Sequence, residues 1–162
     1  MKKLAAVFFA FIAVIASPAR AETPEEWIAL GARVHGGYGA FIPLGIRIGL
    51  HAVENIKASP RGLSVTYYDN DKAPCACFAD GIAIATRASF GQRTVKMAEE
   101  KAPSSALAVI VIRPRDGGPG LKYTIPFSAI QELGKFNRDL DPRGRHDAVM
   151  KADGLFTVEP VQ

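Results

Sequence analysis

The chain has 162 residues, of which 22% are charged, a formal net charge of +4 and two cysteines. This length suits one domain with a single hydrophobic core. The basic residues are scattered along the chain, and this disfavours nucleic-acid binding, which needs a concentrated positive surface.

The N-terminal residues have the pattern of an export signal. Two lysines precede the apolar run Leu4–Ile15, and residues 19–21 read Ala-Arg-Ala, an A-x-A cleavage site. The apolar run is shorter than the roughly 20 residues of a membrane span, which disfavours the alternative of an uncleaved anchor. We therefore expect a signal peptide of residues 1–21 and one mature domain of residues 22–162, periplasmic or secreted. Cleavage lowers the formal net charge from +4 to +1, since three basic residues and no acidic residue leave.

The mature chain is predicted to begin with two helices. Thr23 and Glu26 form a capping box at the start of the first helix, which ends at a pair of glycines. Apolar residues four apart predict the second helix over residues 44–56. Gly45 and Gly49 each cost that helix about 1 kcal/mol of propensity. We expect them to allow another backbone to pack closely.

Strands and helices follow one another in the rest of the chain. Alternating or β-branched apolar runs predict strands, and apolar residues at helical spacing predict helices. The predicted strands are residues 63–67, 94–97, 107–112, 121–125 and 155–158, and the predicted helices are residues 80–86, 128–136 and 147–152. The fold class is therefore α+β, a mostly antiparallel sheet with helices packed on it.

The two cysteines lie only two positions apart, at Cys75 and Cys77. In a strand such residues point to the same face with Cα atoms about 6.6 Å apart. Parallel side chains do not suit an ordinary structural disulfide, which needs converging Cβ atoms, so a bond between Cys75 and Cys77 would be strained and easily reduced. We expect a ligand or redox role, with a helix N-terminus near Cys77 that favours its thiolate. The alternative is two buried thiols that pack as small hydrophobic side chains.

A histidine and a carboxylate lie within reach of the cysteines. His35 precedes flexible glycines, and Asp80 follows Cys77 by three residues. We predict that His35, Cys75 and Cys77 are ligands of a divalent metal ion, with zinc the first choice and copper also suited to this donor set. Cys77 and Asp80 are the predicted catalytic residues. The alternative for His35 is a simple cap at the helix C-terminus.

Residues 86–94 combine hydroxyls, a glycine and two arginines in a predicted loop. Arg87 and Gln92 are candidates for binding a small-molecule ligand, because guanidinium and backbone N–H donors suit an anionic group. The alternative is an ordinary polar connection. The remaining histidines are expected to be structural: His51 partly buried beside the core face of its helix, and His146 in a solvated helix start.

These motifs resemble the formylmethanofuran dehydrogenase E-subunit-like family over roughly residues 27–97. The match runs through His35-Gly36, residues 44–49, residues 77–82 and residues 86–91. The resemblance implies an α+β fold with a metal site where the histidine loop meets the cysteine segment.

The chain departs from the family pattern at three ligand positions. Gly37 stands at the position of a histidine, and Gly39 and Ala88 stand at the positions of cysteines, whereas Cys75 is an additional thiol. The sequence predicts an exported metal-binding protein that, if catalytic, runs a redox or metal-assisted reaction on a small molecule.

Two other interpretations of the same residues stay open. The chain could be a non-catalytic ligand-binding or accessory module of a periplasmic redox enzyme, or a family member whose site is only structural. No membrane span is expected after cleavage. Gly45 and Gly49 would allow a homodimer.

Overall fold

The computed structural model describes residues 21–162. The predicted signal peptide therefore lies outside the described residues, except for Ala21. No helix within residues 21–162 combines the length and the apolarity that a membrane crossing requires. The helices are α1 (Pro24–His35), α2 (Phe41–Ile56), α3 (Cys77–Thr86), α4 (Ala129–Asp139) and α5 (Pro142–Lys151), and the strands are β1 (Leu63–Asp69), β2 (Val95–Met97), β3 (Ala106–Pro114), β4 (Gly120–Pro126) and β5 (Thr157–Val161).

The strands of the described region form one sheet in the order β2-β1-β3-β4-β5. β1 and β2 are parallel, and the other neighbouring pairs are antiparallel. The predicted α+β class with a mostly antiparallel sheet is confirmed. Parallel strands cannot be joined by a tight hairpin, so the chain crosses from β1 to β2 through α3. This crossover fixes the position of the cysteine segment, which lies immediately before and at the start of α3.

One face of the sheet forms the main core with the helices. Tyr67, Ile110 and Tyr123 are register partners across β1, β3 and β4, and all three side chains are fully buried. Side chains alternate between the faces of a strand, so these residues share the core side with their neighbours two positions away. Helix residues of the same cluster include Leu44, Ile48 and Ala52 of α2, Phe78 and Ile82 of α3, Ala129 and Leu133 of α4, and Val149 of α5.

Helices α2 and α3 pack with their backbones in contact. A Cβ atom at Gly45 would lie 2.2 Å from the carbonyl oxygen of Phe78, and one at Gly81 would lie 2.2 Å from the carbonyl oxygen of Ile42. A Cβ at Gly49 would lie 2.7 Å from the Cβ of Ala85. The predicted close packing at Gly45 and Gly49 is confirmed, and its partner is α3 of the same chain. A homodimer stays a prediction.

His146 is buried, so the expectation of a solvated helix start is wrong. α5 begins at Pro142, where the Asp141 side chain accepts a hydrogen bond from the backbone N–H of Gly144. His146 therefore lies in the second turn, only 4% exposed, with Nδ1 2.7 Å from the hydroxyl of Tyr38. Burial is the main cause that lowers the pKa of His146 from its ordinary value.

His51 is half-buried, as expected from its place beside the core face of α2. Its Nδ1 lies 2.9 Å from the hydroxyl of Tyr123, and its ring packs edge-on against that tyrosine. The histidine thus supplies a hydrogen-bond partner for a phenol that the core buries.

Gly45→Ala is expected to destabilise the fold by about 2 kcal/mol or more. The added Cβ meets a backbone oxygen, so α2 and α3 must separate, and the gain of about 1 kcal/mol in helix propensity does not offset this. Urea unfolding measures the change. Gly37→Ala is the matched control, because a Cβ there meets nothing within 4 Å. Equal stability of the two variants would contradict the backbone contact.

Stability is expected to fall as the pH drops below about 6.5, because the unfolded chain then binds a proton that buried His146 resists. The contribution is complete above that pH and is lost as the pH falls through the lowered pKa of the folded state. Urea midpoints between pH 7 and pH 5 measure the slope, which His146→Gln should flatten. Met97→Ala is the control, since it changes an exposed side chain that carries no titratable group. An unchanged slope in His146→Gln would contradict this assignment.

Candidate functional site

The candidate site lies where the end of α1 meets the beginning of α3. His35 is the last residue of α1, and Gly36 closes that helix in the left-handed conformation, φ 86°. Cys77 is the first residue of α3, three residues before the predicted start at Asp80. The expected helix N-terminus near Cys77 is therefore confirmed. Cys77 and Asp80 are three residues apart on a helix and share one face.

His35 and Asp80 form a direct contact between the two helices. Nδ1 of His35 lies 2.7 Å from Oδ2 of Asp80, and the side chains are 31% and 45% exposed. A carboxylate can only accept a hydrogen bond, so we assign the tautomer in which Nδ1–H of His35 donates to Oδ2 of Asp80. Nε2 of His35 is then the ring nitrogen available for a ligand or a proton. Asp80 also lies in the first turn of α3, where the helix dipole favours a negative charge.

Cys75 and Cys77 are joined by a disulfide. Their Cα atoms are 5.3 Å apart, closer than in a strand, because the chain turns into α3 at this point. The extended geometry expected for this segment is therefore wrong, and the turn into α3 lets the two cysteines bond. That the bond is easily reduced stays a prediction. Cys77 is buried and Cys75 is half-buried, and they pack in a cluster with Trp27, Tyr38 and Ile42.

The disulfide is a weak covalent constraint on the fold, because the loop that it closes runs only from Cys75 to Cys77. For so short a loop the chain-entropy relation gives about 1.6 kcal/mol, against about 3 kcal/mol for a loop of about 15 residues. Stabilisation of the fold is therefore a poor explanation for the bond, and its position one helical turn before Asp80, which contacts His35, is the more informative fact.

The predicted metal ligands do not form a metal centre in this disulfide form. Within residues 21–162, no three His, Cys, Asp or Glu side chains are grouped so as to hold a metal ion. Zinc binds cysteine as the thiolate, and neither Cys75 nor Cys77 is a thiolate while the disulfide persists. The metal hypothesis for His35, Cys75 and Cys77 is thus confined to the reduced chain.

Arg87 and Gln92 lie in a loop whose donors serve the loop itself. The Arg87 guanidinium is 3.5 Å from the Glu22 carboxylate. The backbone N–H of Gln92 donates to Ser89 Oγ, and the Gln92 amide donates to the Arg87 carbonyl at 3.5 Å. The N–H of Thr94 likewise donates to the Ser89 carbonyl. Ligand binding by Arg87 and Gln92 stays a prediction. Because these hydrogen-bond donors already have partners in the protein, fewer of them are available to an anion than the loop sequence indicates.

A pocket of about 250 Å³ opens beside Asp80. Val34 of α1 and Phe90 of the loop after α3 are among its walls, and these residues are 54% and 70% exposed. Arg87 and Gln92 do not line it. The pocket was not predicted from the sequence; the available signal was an aromatic residue between Ser89 and Gly91 in an otherwise polar loop. The other lining residues are Ala79, Ala83, Ala88, Ser89 and Val95.

Comparison with known protein families shows which family this chain belongs to. The family model described as "FmdE, Molybdenum formylmethanofuran dehydrogenase operon" matches residues 34–145. This chain belongs to the FmdE family. The resemblance seen in the motifs over residues 27–97 is confirmed, and the matched region extends through α4 into α5.

A solved structure shows the same fold. The chain is similar to the crystal structure of a tungsten formylmethanofuran dehydrogenase FmdE-like protein from Syntrophus aciditrophicus, with a TM-score of 0.56 and 16% sequence identity. The match covers 86% of this chain and 72% of that one. No curated protein matches the sequence.

Removal of the disulfide is expected to leave the fold intact. Cys75→Ala/Cys77→Ala should lose about 2 kcal/mol or less in urea unfolding, because the closed loop is so short. The wild-type chain in excess dithiothreitol is the control and should show a similar loss. A loss above about 4 kcal/mol, or failure to fold, would contradict a minor structural role.

Proposed function

We propose that this chain is an exported FmdE-family protein whose site carries out thiol–disulfide exchange, with Cys75 and Cys77 cycling between disulfide and dithiol. One observation carries the proposal. The bond between Cys75 and Cys77 stands at the N-terminus of α3, one helical turn from the contact between His35 and Asp80, and closes a loop too short to stabilise the fold much.

The surroundings of the two sulfurs give them different roles. Cys77 is buried at the first position of α3, where the helix dipole favours the thiolate and hence its departure as a leaving group. Cys75 is half-buried and is the sulfur that an incoming thiolate reaches more readily. The Nε2 of His35 is suited to exchange a proton during the reaction.

The exchange is balanced by a dithiol donor. One donor thiolate attacks Sγ of Cys75, the bond between Cys75 and Cys77 breaks, and Cys77 leaves as a thiolate. The second donor thiolate then attacks the donor sulfur of the mixed disulfide, and Cys75 leaves. Two electrons pass to the chain, and the two protons released when the donor thiols ionise are taken up by the Cys77 and Cys75 thiolates. The donor becomes a disulfide, and the chain becomes a dithiol.

The predicted export signal supports this proposal. Residues 1–21 have the pattern of a cleaved signal peptide, and disulfides persist in the periplasm and outside the cell. In such a compartment, a cysteine pair that equilibrates with other thiols can exchange disulfides with them.

Metal binding by the reduced chain is a second candidate, favoured by the contact between His35 and Asp80. Metal-ligating histidines usually donate their other ring N–H to a carboxylate, and here Nδ1 is bonded to Asp80. The Nε2 of His35 and the thiolates of Cys75 and Cys77 are donors that zinc accepts. The resemblance to the family implies a metal site in the same place.

The experiment uses untagged chain purified from the periplasm, for which the expected mass is that of residues 22–162. The chain is equilibrated in dithiothreitol or glutathione buffers of stepped potential, and thiols are counted by alkylation and mass spectrometry. We expect two thiols to appear together and reversibly at a potential above about −300 mV, the upper limit typical of structural disulfides. A pair that is reduced only below that value would contradict the exchange function.

The same preparation tests the second candidate. The reduced chain is mixed with one equivalent of zinc chloride under argon, and retained zinc is measured after desalting. Near-stoichiometric zinc that is lost in His35→Gln and in Cys75→Ala/Cys77→Ala supports metal binding. If the reduced wild-type chain retains no zinc, this candidate is excluded. The exchange function is then judged by the redox titration alone.

A further inference from the structure

We infer that the pocket beside Asp80 is a binding site for a small apolar amine, with the apolar body between Val34 and Phe90 and the ammonium group on the Asp80 carboxylate. The inference goes beyond thiol–disulfide exchange and does not depend on it, because neither Cys75 nor Cys77 lines the pocket.

The walls of the pocket are apolar on several sides. Ala79 and Ala83 of α3 form one side, and Val34, Phe90 and Val95 contribute from three other segments of the chain. The volume of about 250 Å³ lies just under the roughly 300 Å³ at which pockets for drug-sized ligands begin. A molecule about the size of one substituted ring is therefore the right occupant.

The loop that carries Phe90 is held in place although its ring is exposed. The backbone N–H of Thr94 donates to the Ser89 carbonyl at 3.1 Å, and the N–H of Arg93 donates to the Phe90 carbonyl at 2.9 Å. Arg87 and Arg93 take the left-handed conformation at the two ends of the loop, which non-glycine residues adopt at a cost of about 1–2 kcal/mol. The 70% exposed ring on this hydrogen-bonded loop offers apolar surface that a ligand can bury without reordering the loop backbone.

The charge of the pocket determines the polar group of the ligand. Among the described residues that line it, Asp80 is the ionisable one. Asp80 accepts a hydrogen bond from His35 on Oδ2, and its Oδ1 can accept a second one. A carboxylate beside apolar walls attracts a cation and repels an anion, so an ammonium group is favoured over a hydroxyl and a hydroxyl over a carboxylate.

The test compares three probes that share one ring. Benzylamine, benzyl alcohol and benzoate are titrated into the oxidised mature chain, and binding is followed by ¹H–¹⁵N NMR shifts. We expect saturable binding of benzylamine with shifts in α3 and in residues 88–95, weaker binding of benzyl alcohol, and the weakest binding of benzoate. Benzoate binding as tightly as benzylamine, or no saturable shift in these segments with benzylamine, would overturn the inference.

Variants assign the binding to the two halves of the pocket. Phe90→Ala should weaken benzylamine about five-fold, the usual scale of one aromatic contact. Asp80→Asn should weaken benzylamine about three-fold, as expected for a partly exposed ion pair, and should leave benzyl alcohol unchanged. Unchanged benzylamine affinity in Phe90→Ala would refute the pocket as the site.

Two controls separate this inference from general surface effects and from the proposed function. Met97 is another exposed hydrophobic residue, 43% exposed and outside the pocket, so Met97→Ala should bind benzylamine like the wild type. Cys75→Ala/Cys77→Ala should also bind it like the wild type, which shows that the pocket works without sulfur chemistry. A matching loss of affinity in Met97→Ala would assign the binding to nonspecific apolar contact.

Discussion

The backbone contact between α2 and α3 determines where the functional side chains lie. Gly45 and Gly81 bring each helix against a carbonyl oxygen of the other, and the two backbones leave no room for a side chain at either position. With Gly81 turned toward α2, the residues on a neighbouring face of α3, Cys77 and Asp80, are presented to α1. A larger side chain in this contact would move or turn α3 and separate Asp80 from His35.

The position of α1 depends on a second contact, through Tyr38. A Cβ at Gly31 would lie 2.6 Å from the ring of Tyr38, so that ring packs directly on the α1 backbone. The hydroxyl of Tyr38 is bonded to buried His146 of α5, and burial raises the pKa of this phenol well above its ordinary value. The neutral Tyr38 phenol thus packs on α1 and is hydrogen-bonded to the neutral His146 imidazole of α5. These two contacts position the end of α1 that carries His35.

Local patterns predicted the parts of this structure that local physics controls. The capping box of Thr23 and Glu26 is present in both directions, and the strands around residues 63–125 lie where alternation indicated. The start of α3 was missed because Ala76 occupies the N-cap and forms no side-chain cap, so the sequence held no start signal there. The error about the disulfide followed directly, since it assumed an extended segment. The pocket at Phe90 depends on tertiary neighbours that no local pattern encodes.

The substitutions at the family's ligand positions explain why the site combines a disulfide with a pocket. In the motif pattern that the chain resembles, position 88 carries a cysteine, whereas here Ala88 is nearly buried and forms part of the apolar pocket wall. The donors left near α3 are one imidazole and two sulfurs, and those sulfurs either bond to each other or ligate a metal as thiolates, never both at once. In an oxidising compartment the bond is the favoured state. The remaining carboxylate, Asp80, contacts His35 and also lines the pocket, so the proposed sulfur chemistry and the proposed cation binding would share one side chain.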